Sequence, residues 1–200
     1  MNTVGKLHGK YVHGRRVAQL HKHLDRLLAD DLKVLDVGCG DGLISSLIAE
    51  NREDINIQGI DVLVRDKTKI PVTEFDGESI PFPDKSFDAV VFVDVLHHTE
   101  APMKLLREAV RVSKKHIVLK DHLRDGFLAN ATLSFMDWVG NKPHGVVLPY
   151  NYWKENQWKT AFKELNLNIL AWENKLDLYG QPADLIFGRN LHFIAKLGLK

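Results

Sequence analysis

The chain has 200 residues, of which 44% are hydrophobic, and its 27 lysines and arginines nearly balance 26 aspartates and glutamates. That length fills one α/β core and leaves no room for two ordinary domains, so any cofactor and substrate would share a single scaffold. A formal net charge of +1 gives no global field to gather nucleic acid, and the single cysteine, Cys39, excludes an intrachain disulfide and a zinc site built on several thiolates.

The opening stretch MNTVGKLHGKYVHGRR is basic without the apolar run of a signal peptide, and no later stretch reaches the roughly 18 apolar residues of a membrane span. Neither export nor insertion is expected, and a cytoplasmic location follows. Lys6, Lys10, Arg15, Arg16 and Lys22, with His8, His13, His21 and His23 among them, precede the first acidic side chain. Such a charge run is ordinarily a solvated face; contact with an anion or a cofactor carboxylate is the other reading.

Val17, Leu20, Leu24, Leu27 and Leu28 recur at helical spacing and predict an amphipathic helix that stops at Asp30-Asp31. Lys33 to Val37 reads as a buried strand, residues 43–50 as a helix and Asn56 to Asp61 as a second strand. Further strands are expected at 70–75, 87–94 and 116–120, with the Met103, Leu106 and Val110 helical stripe between the last two. Helices are predicted at 123–138 and 152–165, separated by the breaker-rich segment 140–145. Two final strands, at 167–172 and 191–196, have no obvious helix between them and suggest an antiparallel hairpin at a sheet edge. Strands alternating with helices imply a doubly wound, mostly parallel sheet. No repeat or linker marks a domain boundary.

The chemistry-bearing signal begins at Val34-Leu-Asp-Val-Gly-Cys-Gly-Asp-Gly-Leu43, where a strand runs straight into glycines. Glycine allows a sharp turn and a close approach of backbone to ligand, and the loop leaves the carboxyl end of a strand, where ligands of open parallel sheets bind. Asp61 ends the next strand about 20 residues on, the position from which a carboxylate reaches ribose hydroxyls. Asp76-Gly77 follows, and then Phe87-Asp-Ala-Val-Val-Phe-Val-Asp94 runs into Val95-Leu-His-His98. Taken singly, Asp61 ends a strand, Asp76 makes a turn and the glycines serve a tight bend equally well. The three spacings together are not explained by a general fold argument.

Over residues 34–120 these segments resemble the class I S-adenosylmethionine-dependent methyltransferases, in particular the small-molecule branch of ubiquinone and menaquinone biosynthesis. The resemblance implies a Rossmann-like, doubly wound, mostly parallel seven-stranded sheet with a reversed edge strand and an inserted helical lid. It implies S-adenosylmethionine as cofactor, leaving S-adenosylhomocysteine as product. Gly38, Cys39 and Gly40 would then approach the methionine part, Asp36 would support the loop and the cofactor amino group, and Asp61 would hold the ribose. Val62 would pack on adenine, Asp76 and Gly77 would bond its amino group, and Val93 and Asp94 would form the floor.

Methyl transfer from a sulfonium is an in-line displacement that chiefly needs the acceptor held close in a dry pocket. An oxygen acceptor benefits from a base, for which His97, His98, Asp121 and His122 stand at strand ends; capping or solvated histidines are the alternative. No metal centre is expected, because Asp94, Asp121 and His122 form no recognisable ligand motif. Phe135, Trp138, Tyr150, Tyr152, Trp153 and Trp158, with Met136 and His144, fall where the family places substrate-covering elements. An acceptor-covering insertion over 123–165 is therefore expected, bending at Gly140, Pro143 and Gly145, and it favours a small apolar or aromatic acceptor. Ordinary core is the alternative for these aromatics.

Nucleic acid is a poor substrate: the chain lacks the Asn/Asp-Pro-Pro-aromatic motif of amino-methylating enzymes, and Cys39 sits in the cofactor loop, away from any role as a covalent nucleophile. Two other readings stay open. A nicotinamide oxidoreductase expects Gly-x-Gly-x-x-Gly where this chain has Gly-x-Gly-x-Gly, and a noncatalytic methyltransferase-like binding protein would keep the site without turnover. The sequence carries no signal for an oligomeric state.

Overall fold

Val34, Leu35, Asp36 and Val37 follow the exposed Lys33 without polar alternation, the pattern of a strand covered on both faces, and Lys33–Val37 forms β1. In the computed structural model, which describes residues 3–141 and 149–200, β1 pairs in parallel with β2 (Asn56–Asp61) and β4 (Phe87–Val93). The short β3 (Val72–Glu74) lies outside β2, and β5 (Ser113–His122) lies beside β4, both parallel. With β6 (Asn168–Glu173) and β7 (His192–Gly198) the order across the seven-stranded sheet is β3-β2-β1-β4-β5-β7-β6. The reversal falls on β7, the last strand, which runs antiparallel to β5 on one side and to β6 on the other. The expected hairpin partner, β6, therefore takes the edge.

Successive strands proceed outward from β1 through β2 to β3 and then, from β4, in the opposite direction. The carboxyl ends of β1 and β4 thus flank the point where strand order reverses, which is where open α/β sheets leave a ligand crevice.

Both sheet faces are covered, as β4 shows. Ala89 and Val91 point into a cluster with Leu20, Leu24 and Leu27 of α1 (Thr3–Leu27) and Ile48 of α2 (Leu43–Asn51). Val90 and Phe92 point the other way, against Leu105, Leu106 and Ala109 of α3 (Pro102–Val112) and Trp158 and Phe162 of α5 (Glu155–Glu164). Each valine, leucine, isoleucine or phenylalanine among them contributes about 1.5–3 kcal/mol by leaving water, so this alternation along one strand locks both layers to the sheet.

Several bounds differ from expectation. The third strand is confined to Val72–Glu74 because Pro71 has no N–H to donate and Ile70 turns inward, buried. The fifth strand extends to His122, carried by its pairing with β7, so Asp121 and His122 are sheet residues and not loop residues. The helix expected at 123–138 is α4, Ala129–Asn141; Gly126 and Leu128, both at positive φ, turn the chain before it. The turn-rich stretch before β7 holds a short unforeseen helix, α6 (Asp184–Phe187). Among the described residues no helix is long and apolar enough to cross a membrane.

Candidate functional site at the switch point

A cleft of about 580 Å³ opens at the end of β1, lined by the glycine loop (Asp36, Gly38, Cys39, Gly40, Asp41), Val93 of β4, Arg65, and His13 and Arg16 of α1. The loop glycines there have different duties. Gly38 has φ +70°, and a Cβ on it would stand 2.6 Å from Val95 Cγ2, so its missing side chain is what lets the chain after β4 pack against the loop. Gly40 has φ +60°, yet a Cβ there would meet nothing within 4 Å: that position faces the open cleft. The tip of the loop is thus bare backbone presented to a ligand.

Asp61 closes the loop from β2. Its Oδ2 accepts the Gly40 N–H at 2.8 Å and its Oδ1 the Leu63 N–H at 2.9 Å. A carboxylate has about four lone-pair sites, so two remain for hydroxyl donors. Cys39 tucks its thiol against β2, where a Cβ on Gly59 would stand 2.3 Å from Sγ. Burial, then the nearby Asp36 and Asp61, push that thiol far above its usual range, so it is packing and not a nucleophile.

Asp36 is buried and accepts the Ser45 hydroxyl at 2.6 Å. Burial raises its pKa to about 7, against the Ser45 hydrogen bond and with help from Asp61. On the adenine side of the expected site, Val62 stands 56% exposed and its Cγ1 would be 3.1 Å from a Cβ on Gly77. Asp76 beside it is exposed and accepts the Glu78 and Ser79 N–H groups at 2.8 and 2.7 Å, which lower its pKa. Val62, Asp76 and Gly77 therefore share one rim.

Asp94 departs from a simple floor. Held at φ +58°, it is ion-paired with both Arg16 of α1 and the fully buried Lys120 of β5, with His122 Nε2 at 3.4 Å from the same carboxylate. Burial works to raise the Asp94 pKa, but Lys120 and Arg16 hold it well below the usual range. Burial pushes the Lys120 pKa down against Asp94. The same ammonium lies 3.3 Å from His192 Nδ1, and His192 Nδ1 lies 3.1 Å from His122 Nδ1. Burial, then Lys120, drives both imidazoles well below their usual pKa, which keeps them neutral.

The four residues singled out as base candidates meet at one place. Leu96–His98 forms a 3-10 turn after β4. There His97 Nδ1 bonds Asp121 Oδ1 at 2.7 Å, and the His97 ring lies 4.0 Å from that of His98 and 4.6 Å from that of His122. Asp121 also accepts the Leu96 N–H at 3.1 Å and the His122 N–H at 2.7 Å, fixing the turn to β5. Burial works against charge on His97, but Asp121 and then Asp137 carry its pKa up to about 10, whereas burial and His97 lower that of His98.

Sequence reasoning missed several members of this group. Asp137 of α4 stands 3.2 Å from His97 Nε2 and accepts the Tyr152 hydroxyl, and neither it, Lys120 nor His192 belongs to a linear motif. The detectable signal was Lys120 itself, a lysine closing an otherwise apolar buried run. Arg16, in the basic run whose two readings are a solvated face and an anion contact, is a cleft residue, while Arg15 pairs with Asp177 at 2.9 Å.

The expected aromatic cover divides. Trp158 and Trp153 pack with Phe162 and Phe193 in the main core, Tyr152 is buried against Leu133 of α4, and Phe135 and Trp138 are exposed. Pro143, His144 and Gly145 lie outside the described residues.

A doubly wound sheet with a bare glycine loop and a strand-end acid at its switch point defines a nucleotide-cofactor domain. The chain belongs to the Methyltransferase domain family, which it matches over residues 11–171. It is 35% identical over 89 residues to a fatty-acid O-methyltransferase of Mycolicibacterium smegmatis, covering 40% of this chain and 32% of that one. It is 32% identical over 89 residues to the mitochondrial ubiquinone biosynthesis O-methyltransferase of Saccharomyces cerevisiae, covering 38% and 28%. The chain thus matches about a third of the length of these curated relatives. Its fold is that of a solved Thermotoga maritima protein described as an SAM-dependent methyltransferase, possible histamine N-methyltransferase, with TM-score 0.65, 17% identity, and 98% and 96% of the two chains covered.

Proposed function

We propose that the protein transfers the methyl group of S-adenosylmethionine to a small, apolar or aromatic acceptor, and that it works in the cytoplasm, a setting its near-neutral charge fits. The observation that carries this is Gly40, a loop residue at positive φ whose missing side chain faces the open cleft at the switch point. The donor set suits the cofactor. Asp36 meets an ammonium, Arg16 offers a cation to the carboxylate end, Asp61 keeps lone pairs for ribose hydroxyls, and Val62 with Asp76 and Gly77 suits an adenine. When bound, the cofactor supplies an electrophilic methyl group on a sulfonium.

The chain's own part is to bind, orient and exclude water. Arg16 ties α1 across to Asp94 and so closes one side of the cleft. The acceptor lies toward the turn bearing His97 and His98, where Asp121 fixes the turn and α4 covers it through Asp137. Among the expected catalytic residues, His97 and Asp121 orient the group, and His98 and His122 offer nitrogen atoms for a departing proton. An apolar acceptor accords with the apolar packing behind this turn, where Leu133 of α4 meets Tyr152.

The test is calorimetry with S-adenosylhomocysteine, followed by label transfer from methyl-labelled S-adenosylmethionine to a panel of fatty acids and apolar phenols. Binding and transfer are expected. Absence of binding would remove the cofactor site, and binding without transfer to any acceptor would favour the noncatalytic reading.

A further inference from the structure

We propose that His97, His98 and Asp137 form a binding site for a divalent cation of the zinc type. One ligand atom from each residue lies within 4.8 Å of the others. His97 is 1% exposed, and its Nε2, buried without a directed hydrogen bond, stands 3.2 Å from Asp137 Oδ2 as an ion pair. His98 Nδ1 is likewise buried and unpartnered. Two buried imidazole nitrogens without a directed hydrogen bond are costly in a protein interior, and a cation bound by both would take the place of the proton now held between His97 and Asp137.

The surroundings are those of a supported metal site. Metal-bound histidines ordinarily give their second ring nitrogen to a carboxylate, and His97 Nδ1 is held by Asp121 Oδ1 at 2.7 Å. Asp121 is in turn fixed by two backbone N–H groups, and Asp137 is oriented by the Tyr152 hydroxyl. Ligand atoms about 2.0–2.1 Å from zinc stand roughly 3.3–3.5 Å apart, so side-chain rotations close the set around an ion. Two nitrogens and one oxygen suit zinc or another borderline first-row ion better than magnesium, which prefers oxygen. Three protein ligands leave a fourth position, the arrangement of catalytic and not structural zinc. On the methyl-transfer reading above, that position would take the acceptor oxygen in its deprotonated form, its proton released to solvent.

The experiment uses chelator-treated protein titrated with Zn²⁺ by calorimetry and with Co²⁺ by visible absorption. One ion per chain is expected, with a four-coordinate cobalt band. His98→Gln and Asp137→Asn should each weaken binding at least about tenfold and abolish the band. His23→Gln, outside the cluster, should leave both unchanged, and circular dichroism verifies that the variants fold. The site is overturned if no stoichiometric ion binds, or if both cluster variants bind it as tightly as the parent chain, which would place the ion elsewhere. S-adenosylhomocysteine titrated into the same samples separates the two proposals: cofactor binding without ion binding removes the cation alone.

Discussion

Gly38 and Gly40 are two residues apart in one loop and both have positive φ, yet the structure separates their roles, and alanine at each tests that separation. A left-handed backbone costs an L-residue about 1–2 kcal/mol, a penalty common to Gly38→Ala and Gly40→Ala. Beyond it, the new Cβ at 38 overlaps Val95 Cγ2 at 2.6 Å and Cγ1 at 3.0 Å, which adds roughly 1–3 kcal/mol of overpacking. At 40 the Cβ meets nothing, so no second penalty arises. Urea denaturation should therefore show a loss of about 1–2 kcal/mol for Gly40→Ala and about 2–5 kcal/mol for Gly38→Ala. Adding Val95→Ala should recover part of the second loss and none of the first. Affinity for S-adenosylhomocysteine should move the other way, with Gly40→Ala losing at least about tenfold because its methyl group stands in the cleft. The reasoning fails if both alanines cost the same stability, if Val95→Ala gives no relief at 38, or if Gly40→Ala binds like the parent.

Two further outcomes follow from buried charges. Asp36 has its pKa raised to about 7 chiefly by burial, so between the usual carboxylate value of 3.8 and about 7 the unfolded chain ionises first and the unliganded protein loses stability as pH rises. Cofactor affinity should rise by up to about tenfold per pH unit over the upper part of that window as the carboxylate becomes charged for the ammonium, and Asp36→Asn should flatten both profiles; parallel profiles in the two proteins would dismiss the contact. Lys120→Met should cost about 1.5–3 kcal/mol by removing one of the two cations on Asp94, and Lys120→Met with Asp94→Asn should regain part of it; a single-variant loss below about 1 kcal/mol in chemical denaturation would mean that the pair is not desolvated.

The part of the candidate site around the glycine loop was legible in the sequence because its pieces are local: Val34 to Leu43 carries strand, loop and helix start in one run, Asp61 ends a strand and Asp76 follows one by two residues. The fold followed from the same alternation of strands and helices. The other half was legible only as candidates. His97, His98, Asp121 and His122 stood at strand ends, but nothing in their spacing shows that Asp137 from α4 and His192 from β7 join them. Those partners come from pairings 15 to 72 residues apart. Periodicity also misjudged β5, since it cannot see that β7 will supply hydrogen bonds as far as His122. The aromatics between 127 and 158 have one composition and two fates, because whether Trp158 enters the core depends on Phe193 three elements later.

The buried charges at this end of the sheet also bear on why the site is built where it is. Asp94, Asp121 and Asp137 face Arg16, Lys120 and the imidazoles of His97, His98, His122 and His192, so acids and cations are nearly matched within a region mostly closed to water. Such groups are expensive to bury singly and tolerable only as a connected set. A fold needing nothing but stability would fill the same space with apolar side chains, as β4 does two residues earlier at Phe92. The set instead runs without interruption from the glycine-loop cleft, through Arg16 and Asp94, to the turn carrying His97 and His98. Between groups so placed the local field is set by fixed charges and dipoles rather than by water, which is the condition under which preorganised groups stabilise developing charge.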